Sequence, residues 1–171
     1  MNDLSRMPLH TPKDGRRLYL LALEVAPMLV GKTYNPLPSH LTLMHRFWSE
    51  LSPEKLAQAI EPVLRRTQPL ELLFGKTRLN GPQKARVNMV QLTPDLQSLH
   101  MRLFDLLNTL HVTYTAPEWV GKGFAPHVTE RKEIEFAVGH VQVTNAAYLI
   151  EVEIHGEEHV RRIRARFDLT A

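Results

Sequence analysis

The stretch FAPHVTERKEI, residues 124–134, contains the tripeptide His127-Val128-Thr129, and PLPSHLTLMHRF, residues 36–47, contains His40-Leu41-Thr42. Each tripeptide lies in a predicted β-strand: His40–Phe47 is an apolar run in which alternate residues share a face, and the segment APHVTERKEIEF contains the second tripeptide. In a strand, residues i and i+2 point to the same face, roughly 6.5–7 Å apart. Each tripeptide therefore presents an imidazole and a hydroxyl side by side, which suits one half of a site for an anionic group.

The His-x-Thr spelling is more frequent in this chain than chance predicts. Random placement of the nine histidines would give about 0.6 copies, and the chain has three. The third copy, His111-Val112-Thr113, directly follows a leucine-rich segment, so we expect it at the end of a helix. Pro126 favours extended backbone just before His127. We therefore pair the motif at 127 with the distant one at 40.

The remaining pattern predicts about seven strands and two helices. The first strand covers Arg17–Val25, and the second, His40–Phe47, has alternate residues on one face. Turn residues NGPQ separate two further strands. The strands after the first two are PLELLFGKTRL, ARVNMVQL, APHVTERKEIEF, HVQVTNAAYLIEVEIH and HVRRIRARFDL. This order, with one His-x-Thr strand in each half, indicates a weak internal duplication and predicts an α+β fold of two lobes that face each other.

Both helices have the same start signal. Ser52 and Thr93 are good N-caps, and each is followed by a proline that fits the first helical turn. Pro62 predicts that the first helix is short or kinked. Leucines at positions 96, 99, 103, 106, 107 and 110 form the apolar stripe of the second helix.

Composition sets the class of protein. The chain has 171 residues, 43% hydrophobic and 23% charged, with a net charge of +3 and no cysteine. These values predict one soluble domain over 1–171, without disulfides or a Cys-based metal site, in the cytoplasm. Residues 1–15 contain no apolar signal segment, and we expect a poorly ordered extension there. No apolar run is long enough to cross a membrane.

Two His-x-Thr strands brought together would supply a general base, a general acid and two hydroxyls. That set suits the in-line opening of a phosphodiester without a metal. With Phe124, Pro126 and the LQSLH segment of the second helix, the paired motifs resemble those of the two-histidine (2H) phosphoesterases, which include LigT-type 2'-5' RNA ligases and cyclic phosphodiesterases. The resemblance runs from about Arg17 to Leu169.

The resemblance implies a bilobal α+β fold, in which two pseudo-symmetric antiparallel sheets face each other across a central cleft with the helices outside. His40 and Thr42 would lie on one side of the cleft and His127 and Thr129 on the other. It implies a hydrolase, needing no metal or cofactor, that acts on 2',3'-cyclic or 1'',2''-cyclic phosphates or on 2'-5' phosphodiester links of RNA or nucleotides. The alternative is a non-catalytic RNA or nucleotide binder with the same fold. Which histidine is the acid, the direction of the reaction and the oligomeric state stay open.

Several other residues are weaker candidates. Regular alternation would place Arg46 with His40, and Arg131 with His127, so either guanidinium could pair with a phosphate. Phe124, Tyr34 and Trp119 could stack on a base, although core or lid packing is the simpler interpretation for each.

Two further patterns have structural explanations. His155-Gly-Glu-Glu-His159 has the spelling of a zinc-peptidase motif, which requires a helix. Its flanks alternate as strands, so we expect a hairpin turn at Gly156. Three arginines of the last strand, at 162, 164 and 166, could follow an RNA backbone, but a solvated strand face accounts for them as well.

Overall fold

The computed structural model describes residues 15–82, 84–131 and 136–171. Five strands come before the second helix and five after it. The strands are β1 Arg17–Glu24, β2 Thr33–Tyr34, β3 His40–Ser49, β4 Leu70–Asn80, β5 Ala85–Val90, β6 Thr113–Tyr114, β7 His127–Thr129, β8 Val141–Thr144, β9 Ala146–His155 and β10 Glu158–Asp168. The helices are α1 Pro53–Arg65 and α2 Pro94–Thr109. Apart from Gly15, the extension expected at residues 1–15 lies outside the described residues.

The described strands form an antiparallel sheet in two halves. Its order is β2-β10-β9-β1-β3-β7-β5-β4-β8, with the short β6 on the end of β3. The halves meet where β3 pairs with β7, at the single registered pair Leu41↔Val128. The predicted α+β class with two antiparallel halves is confirmed, and the contact between the halves is made by the two His-x-Thr strands themselves.

Both helices pack on one face of the sheet, which we call the core face. Leu41 and Val128 lie in the same buried cluster as the apolar stripes of α1 and α2. Leu56, Ile60 and Leu64 of α1 are fully buried. The residues on either side of Leu41 and Val128 therefore point to the opposite face, which we call the site face.

The N-caps predicted for the helices are confirmed. Ser52 Oγ accepts a hydrogen bond from the Lys55 amide at 3.3 Å, and Thr93 Oγ1 accepts one from the Leu96 amide at 3.3 Å. The early end considered at Pro62 is wrong, because α1 continues to Arg65. Pro62 lies on the exposed side of the helix, while the buried stripe on the other side holds the helix.

Three strand predictions need correction. The segment predicted as APHVTERKEIEF is a strand only over His127–Thr129, with an isolated bridge at Arg131, and 132–135 lie outside the described residues. The segment at 140–155 divides into β8 and β9 around Asn145. In β10, a register shift between Ile163 and Ala165 breaks the alternation. Ile163 and Phe167 consequently lie in different apolar clusters.

The predicted hairpin at Gly156 is confirmed. β9 and β10 pair from His155↔Glu158 onward, and Gly156 has a positive φ of 62°, which glycine adopts without strain. Among the described residues, no helix is long and apolar enough to cross a membrane.

Candidate active site

The pairing of β3 with β7 brings the two His-x-Thr motifs together. Because Leu41 is paired with Val128 in an antiparallel ladder, His40 lies opposite Thr129 and Thr42 lies opposite His127. All four side chains point to the site face. Diagonal neighbours in such a ladder are about 7–8 Å apart, so the two imidazoles are near neighbours on this face, and His127 contributes to the electrostatic environment of His40.

The two imidazoles are oriented in the same way. His40 Nδ1 lies 2.8 Å from the Pro38 carbonyl oxygen, and His127 Nδ1 lies 2.9 Å from the Ala125 carbonyl oxygen. A carbonyl only accepts, so each Nδ1 carries the proton and donates it. In the neutral ring each Nε2 therefore keeps its lone pair and can exchange a proton with a ligand.

Burial favours the neutral form of His40. It lowers the pKa of His40 from 6.5 to about 4, against the opposing effect of the Pro38 carbonyl. The positive charges of Arg131 and Arg161, and the His127 ring, lower the pKa further. Near neutral pH the unliganded protein consequently holds His40 as a proton acceptor.

A third histidine, His45, lies beside the pair. Two register shifts in the β1–β3 ladder insert extra residues into β3 between Thr42 and Phe47. As a result His45 and Arg46 both border the site face, whereas regular alternation would have separated them. The His45 ring meets Trp119 edge-on, with centroids 4.7 Å apart. Burial, with smaller effects from Arg46 and His127, lowers the pKa of His45 to about 4.

On the His127 side lies a cavity of about 240 Å³, which we call the aromatic cavity. Trp119 and Phe124 line it together with two polar side chains of β4, Arg78 and Asn80. Trp119 is 46% exposed, so part of its ring is accessible. Phe124 and His127 line the same cavity, and Phe124 also packs against the buried core, the simpler of the two interpretations given for it from the sequence.

On the His40 side lies a cavity of about 250 Å³, which we call the arginine cavity. The guanidinium-bearing residues in its lining are Arg46, Arg131 and Arg161. Arg46 and Arg131 were predicted near the motifs, and both line this cavity with His40 and Thr42. Arg161 was not predicted. Thr42 and His45 line both cavities. The two cavities therefore adjoin at these residues, and we call this place the junction.

His100 of α2 connects the motifs from the core side. Its ring is 1% exposed, its Nδ1–H donates to the Leu43 carbonyl at 2.8 Å, and its Nε2 accepts from the Gly121 amide at 2.9 Å. Phe124 stacks on it with centroids 3.9 Å apart and planes 4° apart. Burial lowers the pKa of His100. The imidazole thus ties β3 to the loop that leads into His127.

The remaining candidates lie elsewhere. His111 follows α2 with a φ of 56° and is exposed, which confirms its place at a helix end. Tyr34 pairs with Arg161 in the β2–β10 ladder, and its hydroxyl accepts from the Leu29 amide at 3.0 Å. Arg162, Arg164 and Arg166 pair with carboxylates, on Glu153, Glu151 and Asp168 respectively.

The described residues were also considered as possible metal ligands. Across 15–82, 84–131 and 136–171, no group of three or more His, Asp or Glu side chains is arranged to hold a metal ion. The His155–His159 segment is a hairpin, so it lacks the helix that the zinc-peptidase motif requires.

A two-half antiparallel sheet with paired His-x-Thr strands at its junction defines the two-histidine phosphoesterase class. The chain belongs to the 2'-5' RNA ligase superfamily, whose family model matches residues 27–170. No curated protein sequence matches the chain.

Solved structures show the same fold at low sequence identity. A crystal structure described as a phosphoesterase is 16% identical with a TM-score of 0.58, covering 92% of this chain and 100% of that one. TT0787 of Thermus thermophilus is 18% identical with a TM-score of 0.55, covering 89% and 97%. E. coli LigT complexed with 3'-AMP is 15% identical with a TM-score of 0.53, covering 91% and 99%.

Proposed function

We propose that this protein is a metal-independent phosphoesterase that opens 2',3'-cyclic or 1'',2''-cyclic phosphates, or cleaves 2'-5' phosphodiester bonds, of RNA or nucleotides. The observation that carries the proposal is the Leu41↔Val128 register, from which we infer that two imidazoles and two hydroxyls share one face and can surround a phosphate. The matching Nδ1–carbonyl bonds of His40 and His127 leave both Nε2 atoms available for proton transfer.

The burial of His40 supports a division of roles. His40 is held neutral by its surroundings, which suits the general base. In hydrolysis, its Nε2 takes a proton from the attacking water while the water oxygen bonds to phosphorus. The bond from phosphorus to the leaving ribose oxygen breaks, and protonated His127 donates a proton to that oxygen. The products are a phosphomonoester and a free hydroxyl.

The threonines complete the arrangement for an in-line displacement. Thr42 and Thr129 lie opposite His127 and His40 by register, so each hydroxyl can donate to a non-bridging phosphate oxygen. The arginines of the adjoining cavity provide positive charge for an anionic substrate. The exposed part of Trp119 offers a surface on which a base can stack.

A nucleotide substrate is favoured by one comparison besides the geometry. E. coli LigT, which shares the fold, forms a complex with 3'-AMP. A 3'-phosphomonoester is also one of the two possible products of opening a 2',3'-cyclic phosphate. We therefore propose a ribonucleotide or an RNA end as the partner.

The test is hydrolysis of 2',3'-cyclic AMP and of 2'-5' linked dinucleotides in the presence of EDTA, with wild type, His40→Ala and His127→Ala. We expect EDTA to leave the wild-type rate unchanged and each variant to lose about 10²–10⁴-fold in kcat/KM. His111→Ala is the matched control, because it removes a histidine of the same spelling outside the site. Full activity in either site variant would contradict the assignment.

The same assay separates the enzyme from the non-catalytic alternative. A binder that keeps the fold would retain 3'-AMP in equilibrium dialysis but turn over none of these substrates. Loss of activity with EDTA that returns on adding a divalent cation would show that a metal takes part, and it would contradict the proposed chemistry.

A further inference from the structure

Three arginines of the arginine cavity have no carboxylate partner among the described residues, unlike several other arginines of the chain. In the part of the chain that the structure describes, arginines with a carboxylate oxygen within 4.0 Å include those at 17, 65, 86, 162, 164 and 166. Arg46, Arg131 and Arg161 have none in the described ranges 15–82, 84–131 and 136–171, although all three line one cavity. Burial lowers the pKa of each of them.

The hydrogen bonds of these guanidinium groups are also incomplete. Within the described ranges, the side-chain hydrogen bonds of Arg161 come from Nη1, which donates to Asn35 Oδ1 at 3.2 Å and to the His159 carbonyl at 3.1 Å. Arg131 Nε is buried with no acceptor among the described residues. Since desolvated guanidinium groups are costly unless paired, three of them around one cavity indicate an anionic occupant with more than one charge.

One anion already has a place in the proposed function, which is the reacting phosphate between His40 and His127. That position is the junction of the two cavities, marked by Thr42. In a nucleoside 2',3'-phosphate the base is attached to C1', the neighbour of C2', and the 5' oxygen is attached through C5' to C4', the neighbour of C3'. The base and the 5' oxygen therefore extend to opposite sides of the reacting phosphate. If the base lies in the aromatic cavity, the 5' oxygen lies toward the arginine cavity, which Arg161 lines.

We propose that the arginine cavity holds a second phosphoryl group of the substrate, on the 5' oxygen of the nucleotide whose 2',3'-phosphate reacts. This inference rests on the proposed function and narrows its substrate class. The favoured substrates are 5'-phosphorylated nucleotides and RNA 3' ends, in which the last linkage supplies the 5' phosphate. Free nucleoside cyclic phosphates leave the cavity without an anion and bind more weakly.

Among the three arginines, Arg161 is the best choice for testing the second phosphate site without disturbing the site of the reacting phosphate. It lies on β10, three strands away from β3 in the sheet order, while Arg46 belongs to the strand that carries His40. Arg162, the next residue, has an ion pair with Glu153 at 2.6 Å and is absent from the cavity lining. Arg162→Gln is therefore a control for Arg161→Gln with the same chemical change on the same strand.

Equilibrium binding tests the inference without requiring turnover. Titration calorimetry compares adenosine 3',5'-bisphosphate with adenosine 3'-monophosphate. We expect wild type and Arg162→Gln to prefer the bisphosphate by about tenfold to hundredfold, the range expected of charge-assisted hydrogen bonds. Arg161→Gln should bring this preference close to one while changing the monophosphate affinity less than threefold, on the order of 0.6 kcal/mol. Arg131→Gln provides a second variant should Arg161→Gln fold poorly.

Two results would overturn the inference. Equal wild-type affinity for the two ligands would remove the second phosphate site, and a parallel loss of both affinities in Arg161→Gln would assign that arginine to the reacting phosphate. Hydrolysis of 2',3'-cyclic AMP is measured in parallel, and its absence counts against the proposed function, not against the binding preference. Turnover with no preference for the 5'-phosphorylated substrate would reject the subsite alone.

Discussion

Replacement of buried His100 by leucine tests how the core holds the site. The imidazole has a defined partner on each nitrogen, the Leu43 carbonyl and the Gly121 amide, and it stacks on Phe124. Leucine fills much of the volume but leaves both backbone groups without their partner. Each buried group stranded in this way costs about 1–3 kcal/mol. We therefore expect His100→Leu to lower the free energy of unfolding by about 3–5 kcal/mol.

The same change should affect the site beyond its effect on stability. Without the imidazole, the loop of Gly121 and Phe124 loses its attachment to β3, and the Ala125 carbonyl that orients His127 moves with it. A displacement of about 1 Å can lower catalysis about 10²-fold. We expect kcat/KM of the folded variant to drop by roughly that factor, with a smaller change in KM.

Urea unfolding followed by circular dichroism gives the stability change, and hydrolysis is measured under conditions where the variant is folded. The control is Gln97→Leu, an exposed position on the same helix, which should change stability by less than about 0.5 kcal/mol. The reasoning fails if His100→Leu loses under about 1 kcal/mol, or if it is destabilised but keeps wild-type kcat/KM.

Three further changes have expected outcomes. Because burial lowers the pKa of His45 from 6.5 to about 4, the folded protein binds fewer protons there than the unfolded chain does, and the free energy of unfolding decreases as the pH falls through that range. In urea titrations, His45→Gln should reduce the decrease between about pH 7.5 and about pH 5 by about 1–2 kcal/mol. An unchanged decrease would reject the burial argument. In Gly123→Ala, the added Cβ would lie 1.7 Å from the Glu118 carbonyl oxygen, so we expect lower thermal stability and lower activity, both clearly worse than in Gly75→Ala, where the nearest atom is 3.3 Å away. Ser52→Ala should cost about 1 kcal/mol through loss of the N-cap, measured by urea unfolding; no measurable cost would show that the cap bond to Lys55 is not needed.

Local chemistry made part of the site predictable. Each motif needs only period-two geometry to place its His and Thr on one face, and Pro126 distinguishes His127 from His111 by its effect on the preceding residue. Ser52 and Thr93 act on amides three residues away, so their capping roles could also be read from the sequence. These features depend only on residues that are neighbours in the chain, so a single sequence is enough to predict them.

Other parts depend on distant contacts. The bulges in β3 that place His45 at the site are defined by pairing with β1, and no residue in HLTLMHRF predicts them. Arg161 and Arg162 are adjacent in a strand and therefore point to opposite faces, but only the place of β10 in the sheet shows which of them borders the cavity and which has a carboxylate partner. The role of His100 requires α2, β3 and the loop before His127 to be in place together.

The central claim is that His40 and His127 act as one catalytic unit. The most direct test is a double-mutant cycle in kcat/KM for 2',3'-cyclic AMP with His40→Asn, His127→Asn and the double variant. Asparagine can keep the hydrogen bond to the backbone carbonyl while removing Nε2. We expect each single change to cost about 10²–10⁴-fold and the double change to cost little more than the worse single one. Multiplied losses in the double variant, or a single variant with wild-type kcat/KM, would contradict the account.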